Sequence, residues 1–413
     1  MRKILVIGGT GTMGSALVSA LTSGDEWEIF AVCRNVSNHE SRCHYIYCDI
    51  MKDASFEEVV VNEKYDAIVD FMWYDPDTFA ARIPKLLKAA KHYICLSSSA
   101  VYAHSSEPFK EDSPRFYDLA SEEEKNDKGW HYHLEKARIE NIIRTQENKN
   151  WTIIRPHVTI NSNHMPLLMW CEYVWLWRAA HNLPVVVYED LLKPKSTYTM
   201  ASDVAKMIVA ILNNGIESYR ETYNVVSDTV LTGEQLLNMY EEILRKQGVQ
   251  MKIARMQDSS SYYSYSPMGA ERITYDRAKD RVLSNDKIKN IADIQFADFK
   301  MTLTEHVKTW LAQNSNQGAS YAAISEMVLM DQLTGVRTHL KYFKSSKAKK
   351  NYVISRYSIV GKVYNSLLQP IVGIIKKEDN VRRTKETSVR SQYRAEQQGC
   401  RSIYFRKREW YFP

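Results

Sequence analysis

The chain has 413 residues, of which 44% are hydrophobic and 25% charged, with a net charge of +6, the make-up of a globular protein with room for a large core. It holds no run of about 18 apolar residues, which argues against a membrane-spanning helix, and its six cysteines form no C-x-x-C pair, which argues against a zinc site and a disulfide framework. Residues 341–413 carry 18 Lys plus Arg against 5 Asp plus Glu, so a tail of +13 follows a body of −7. The first apolar run is too short for a signal peptide, and a cytoplasmic protein with reduced thiols is expected.

A predicted strand at residues 4–7 runs directly into Gly8, Gly11 and Gly14, and an amphipathic helix follows with Ala16, Leu17, Ala20 and Leu21. In this pattern Gly8 permits the tight turn, Gly11 lets backbone approach a pyrophosphate, and Gly14 lets the helix pack closely on the sheet. The N–H groups opening that helix face the phosphates. Strands predicted at 27–34, 44–49, 67–72 and 93–97 alternate with helical spacing at 55–61 and 78–90, which predicts an α/β chain with a doubly wound parallel sheet. Such sheets bind ligands at the carboxyl ends of their strands, where Gly8, Arg34, Asp49, Met72 and the serines 97–99 all fall.

An acidic, loop-like stretch at 107–128 precedes a helix predicted at 132–145, which carries Tyr132 and Lys136. Four residues of spacing puts the two on one helix face. There an ammonium can favour the phenolate and hold a ribose hydroxyl, so that Tyr132 exchanges a proton with a substrate hydroxyl or carbonyl. Ser97, Ser98 and Ser99 end the fifth strand, where a hydroxyl can stabilise charge on the same substrate oxygen. A strand at 151–156 follows. Residues 165–180 are predicted helical, with Trp170, Trp175 and Trp177 expected in core packing and a cap over a substrate cleft as the other reading. Helices at 202–212, 232–245 and 303–313 and a strand at 223–226 complete a body ending near residue 315.

With the glycine turn, the serine cluster, Tyr132-x-x-x-Lys136 and Arg155-Pro156 in this order, residues 1–315 resemble the extended and atypical short-chain dehydrogenase/reductase superfamily, in its nucleotide-sugar epimerase/dehydratase branch. Residues 96–102, LSSSAVY, are similar to that family's SSxxVYG segment, 201–205 to its hvxDvA helix start, Tyr223-Asn224 to its yNig strand, and 276–279 to its late D-x-s-K turn. The resemblance implies a Rossmann-type domain at 1–163, a smaller α/β substrate-binding part at 164–315 interleaved with it, and an extension at 316–413. It implies Tyr132 as acid/base, Lys136 as its partner, and Ser98 as the catalytic hydroxyl, with Ser99 the alternative alignment. It departs from the family at Ser98-Ser99-Ala100, where dehydratases carry Thr-Asp-Glu, which argues against a 4,6-dehydratase. It departs again at Ile160-Asn161-Ser162, in place of Tyr-Gly-Pro, which puts the family's sugar contacts in doubt.

The residues expected around a nicotinamide dinucleotide are Gly8, Thr10, Gly11, Thr12, Met13, Gly14, Arg34, Asn35, Asp49, Ile50, Phe71, Met72, Ser97, Tyr132, Lys136 and Pro156, with no metal. The second strand ends in Cys33-Arg34-Asn35 without the acidic residue that holds a ribose diol, so Arg34 points to the 2′-phosphate of NADP over NAD. The expected activity is an NADP-dependent epimerase or ketone reductase acting on a nucleotide-activated sugar or related polyol, with a homodimer as the family default. A non-catalytic NADP-binding regulatory or scaffold protein is the alternative. In the tail, lysines at 341–350 precede Val353, Tyr357, Val360, Tyr364 and Leu367 at helical spacing, an amphipathic pattern suited to a partner protein or an anionic membrane surface, with nucleic acid a lesser expectation.

Overall fold

The computed structural model describes residues 1–34, 40–126, 131–263 and 267–357. Asn35, Val360, Tyr364 and Leu367 lie outside them.

Six parallel strands, with helices among the described residues between all but the second and third, run from the start of the chain: β1 (Arg2–Ile7), β2 (Trp27–Cys33), β3 (Cys43–Tyr47), β4 (Tyr65–Asp70), β5 (Ala90–Leu96) and β6 (Trp151–Arg155). A seventh strand, Glu221–Asn224, joins β6, giving the order Glu221–Asn224, β6, β5, β4, β1, β2, β3. Ile4, Leu5, Val6 and Ile7 are completely buried, as a central strand covered by helices on both faces requires. Burying each such side chain contributes about 1.5–3 kcal/mol.

Helix α1 (Thr12–Thr22) packs on one face beside the helix Ala201–Asn214. The helix Pro76–Ala89 packs against the helix Tyr132–Arg144. Pro76–Ala89 begins with proline after Asp75, whose carboxylate accepts the Thr78 N–H at 3.0 Å, satisfying an N–H that the helix itself leaves unpaired. The stretch predicted as helix at 55–61 is an α-turn, Asp53–Phe56, followed by a π-helical turn, Glu57–Val61.

The helix predicted at 165–180 begins only at Glu172. Before it the chain makes a tight turn in which Leu167 and Trp170 exchange backbone hydrogen bonds and Leu168 takes φ 56°, a left-handed conformation that interrupts any helix. Trp170, Trp175 and Trp177 are buried in the core. The strands Val158–Ile160 and Lys195–Met200 pair across residue 163, so the chain on either side of that expected boundary is built into the same compact unit as the seven-stranded sheet. That unit comprises Met1–Ser259 and Glu271–Asn316.

A second unit contains Ser260–Ala270 and the chain from Gln317 onward. Within it the helices Ile324–Thr334 and Ser346–Tyr357 pack together. Buried Asp331 joins them by accepting the Thr338 N–H at 2.7 Å and the Tyr352 hydroxyl.

Candidate active site

The direction of winding reverses between β1 and β4, and Ile7, Asp70 and Cys95 stand level in register where the three neighbouring strands end. Beyond Ile7 the chain turns at Gly8, whose φ of +82° favours glycine, and the N–H groups of Gly8 and Gly9 both donate to the Val32 carbonyl at 3.1 Å. A Cβ on Gly14 would lie 2.2 Å from the Gly8 carbonyl oxygen, so the helix crosses the turn with no room for a side chain. Gly9 is as tight, its Cβ position being 2.7 Å from that of Ala31, a constraint the spacing of the other three glycines did not reveal. At Gly11 a Cβ would meet only the Gly8 oxygen, at 3.4 Å, and the residue is exposed.

Gly11 is also the residue before helix α1, and no side chain caps that helix. The N–H groups of its first turn are therefore not taken by a capping side chain and can donate to a bound anion. Thr10 is exposed, Thr12 and Met13 are half-buried, and Phe71 and Met72 flank the turn, with the Phe71 Cβ 3.3 Å from a Cβ placed on Gly8. An exposed glycine, a free helix start and half-buried apolar walls fit the pyrophosphate end of a dinucleotide.

The other expected cofactor residues divide. Arg34 is exposed at the end of β2. The Asp49 carboxylate accepts the Met51 N–H at 3.2 Å, and Ile50 is buried, its carbonyl taken by Arg82. Pro156 is buried, and its carbonyl accepts the Ser99 N–H at 3.0 Å.

The three serines after β5 have separate partners. The buried Ser97 hydroxyl donates to Glu140 Oε1 at 2.6 Å. The buried Ser99 hydroxyl pairs with His157 Nδ1 at 2.7 Å. Half-buried Ser98 caps the 3-10 turn Ser99–Val101, its oxygen accepting the Ala100 N–H at 3.2 Å. Of the three, Ser98 alone keeps its hydroxyl at a partly open position.

That turn packs on the helix Tyr132–Arg144. Tyr132 is its first residue and half-buried, and Lys136 one turn later is 2% exposed, with Nζ 3.3 Å from the Leu96 carbonyl and 5.9 Å from the Tyr132 ring centroid. The helix is locked in place by Glu140, whose two oxygens accept from Arg155 Nε at 2.8 Å and Nη2 at 2.6 Å, with Arg115 at 3.1 Å. Burial alone would raise the Glu140 carboxyl, but the charge and hydrogen bonds of Arg155 hold it below its ordinary value. Removing one partner of such a buried pair typically costs 3–5 kcal/mol.

Two acid–base groups beside the site escaped the sequence reading. Asp70 ends β4, fully enclosed, and accepts the Met72 N–H at 2.9 Å and the Tyr74 and Tyr93 hydroxyls at 2.9 and 3.1 Å. Burial pushes it up to about 6 despite these donors and the charge of Lys136. An aspartate inside an apolar strand run was its only sequence signal. His157 bridges Ser99 to Ser196, its Nε2 lying 2.8 Å from the Ser196 hydroxyl, and burial first, then the charges of nearby arginines, push it down to about 3.

Ser196 opens in turn on a small cavity walled by Leu168, Tyr198, Gly233, Arg277 and Lys279. Arg277, Arg281 and Arg272 crowd around one carboxylate, Asp276, which lies 3.5 Å from Arg277 and 3.2 Å from Arg281. Cationic charge thus exceeds anionic charge along this wall. Asn161, in the segment that departs from the Tyr-Gly-Pro pattern, donates from Nδ2 to the Thr12 carbonyl at 3.2 Å, which ties that segment to the glycine turn.

The parallel sheet, the glycine turn and the free helix start define a Rossmann-type dinucleotide-binding protein. The chain matches the NAD dependent epimerase/dehydratase family over residues 4–225, more than half its length, and it belongs to that family. Among solved structures it is similar to the UDP-Glc/GlcNAc 4-epimerase of Campylobacter jejuni, at 15% identity and TM-score 0.58, covering 76% of this chain and 100% of that one. It is similar too to the UDP-glucuronic acid 4-epimerase of Bacillus cereus in complex with NAD (15%, TM-score 0.56, 76% and 100% covered). The dTDP-glucose 4,6-dehydratase of Bacillus anthracis str. Ames in complex with NAD is a third (19%, TM-score 0.56, 76% and 97% covered). At these identities the likeness speaks for the fold. No curated protein matches the chain in sequence.

Proposed function

We propose that the protein is a hydride-transferring epimerase or ketone reductase that acts on a nucleotide-activated sugar, with Tyr132 as its acid/base. The observation that carries this reading is the placing of Lys136: its ammonium is buried at the carbonyl end of β5, on the helix that Tyr132 opens, against the turn that carries Ser98. A buried lysine at that edge is poorly explained by packing, because burying an ammonium is costly without a task or a partner.

The glycine turn from Gly8 to Gly14 would hold the pyrophosphate of a nicotinamide dinucleotide, Phe71 and Met72 would flank it, and Lys136 would reach a ribose hydroxyl. Bound nicotinamide supplies the acceptor and donor of hydride. Tyr132 takes the proton from the substrate hydroxyl as the carbinol is oxidised and returns it on reduction. The Ser98 hydroxyl donates to the same oxygen and stabilises the charge that gathers there.

Arg34 would meet a 2′-phosphate, which favours NADP within a family described by NAD dependence. The cationic wall of Arg277 and Lys279 suits the diphosphate of an activated sugar, the kind of compound named for the Campylobacter and Bacillus epimerases. Ser98-Ser99-Ala100 lacks the carboxylates needed to eliminate water, which supports epimerisation or reduction over dehydration.

The test is Tyr132→Phe assayed with a panel of UDP-, dTDP- and GDP-sugars. Turnover should fall at least about 100-fold while cofactor binding, followed by fluorescence, is kept. Undiminished turnover in that variant removes Tyr132 from the mechanism.

A further inference from the structure

Among the described residues of the second unit, the stretch 332–357 presents charge of one sign. Between residues 332 and 357 there are seven Lys plus Arg and no Asp or Glu, and none of the seven forms an ion pair with a described residue. Arg337, Lys341, Lys344, Lys347, Lys349 and Lys350 are all exposed.

The helix Ser346–Tyr357 shows how this charge is combined with apolar surface. Ala348 and Tyr352, one turn apart, are buried and face inward. The opposite side carries Lys347, Lys349 and Lys350 in its first half and then Val353, Ile354 and Tyr357, which are 38%, 43% and 55% exposed. Leu340 is 40% exposed, and the Arg337 guanidinium lies 5.5 Å from the Tyr357 ring centroid. Cations therefore border the apolar patch.

We propose that this face of the second unit docks on an anionic lipid bilayer, with Val353, Ile354 and Tyr357 entering the headgroup boundary and the lysines resting on acidic headgroups. Charge complementarity selects this occupant: an unbalanced cationic rim around aliphatic side chains matches a negatively charged surface with an apolar layer beneath it. A single-stranded nucleic acid would satisfy the lysines, but it gains nothing from exposed Val353 and Ile354, since bases stack on aromatic side chains. Lysines outnumber arginines five to two in the segment, whereas bidentate phosphate recognition favours arginine.

The experiment is co-sedimentation of the full chain with phosphatidylcholine vesicles and with mixed phosphatidylcholine and phosphatidylserine vesicles. The wild type should pellet with the mixed vesicles only. Combined Lys347→Gln, Lys349→Gln and Lys350→Gln should weaken binding about 100-fold, and combined Val353→Ser and Ile354→Ser about tenfold. All five side chains are exposed, so both variants should melt like the wild type. The proposal is overturned by equal pelleting with neutral vesicles, or by wild-type binding in either variant. Tighter binding to an oligonucleotide than to vesicles, unaffected by the serine substitutions, also overturns it.

Discussion

The Lys136 ammonium donates to the carbonyl oxygen of Leu96 at 3.3 Å, so a helix side chain is fastened to the last residue of a central strand. The bond sets where a cation stands relative to the ends of β4 and β5. On the proposed function, Lys136→Met should lower turnover at least about 100-fold and weaken cofactor binding. Lys136→Arg should not restore either, because a planar guanidinium does not fit a pocket shaped for a compact ammonium. Initial rates and a fluorescence titration of the cofactor read both effects.

The glycines predict two different failures. Gly14→Ala forces a Cβ to within 2.2 Å of the Gly8 carbonyl oxygen, and backbone cannot yield by that much without moving α1. Loss of soluble protein, or a midpoint lowered by several degrees, is expected. Gly11→Ala meets only an ordinary contact, so it should fold normally; on the proposed function it should lose cofactor affinity by about tenfold or more, because the methyl group would stand in the path of the pyrophosphate. Thermal melts paired with cofactor titrations separate the two.

Arg34 is exposed at the end of β2, and its replacement should leave the fold unchanged. If it meets a 2′-phosphate, Arg34→Ala should weaken NADP about tenfold or more and barely alter NAD. A wild type that binds NAD far more tightly than NADP would reverse the assignment.

Desolvated neutral histidines predict acid sensitivity. Burial first, aided by Arg272 and Arg277, holds His164 down at about 4, and His157 is held at about 3. Both lie below the unfolded value of about 6.5, so their neutral forms stabilise the fold fully above that pH. The contribution is lost as pH falls through the window from about 6.5 toward 4 and 3, at roughly 2 kcal/mol per histidine by about pH 4.5. Urea midpoints measured across this range should drop steeply, and His157→Gln should flatten the slope while lowering stability at neutral pH. A flat wild-type profile would contradict the desolvation of both rings.

Much of the fold was legible because it is written in local periodicity. Apolar runs of four to seven residues, glycines after the first of them and helical spacing between them are short-range signals, and the six strands β1 to β6 fall where they were expected. The helix start at Tyr132 was legible for the same reason. The delayed start of the helix Glu172–Ala180 was not, because Leu168 adopts its left-handed conformation in a buried turn that composition does not announce. The strands Val185–Tyr188 and Ile253–Met256 were missed as well, since they pair with each other across more than sixty residues. Likewise the Tyr102 hydroxyl and Asn224, read as family signatures, meet at 2.6 Å from 122 residues apart.

By itself the sequence determined which residue types stand at the strand ends, because a glycine, a serine or a Tyr-x-x-x-Lys pair is a local pattern whose geometry follows from backbone sterics and helix pitch. Only the tertiary structure decided which of three adjacent serines keeps an open hydroxyl, since that depends on Glu140 and His157 arriving from distant segments to claim the other two. It likewise decided that Asp70 and His157 sit in surroundings that move their proton affinities in opposite ways, because desolvation is a property of the packed interior and is absent from any stretch of chain taken alone.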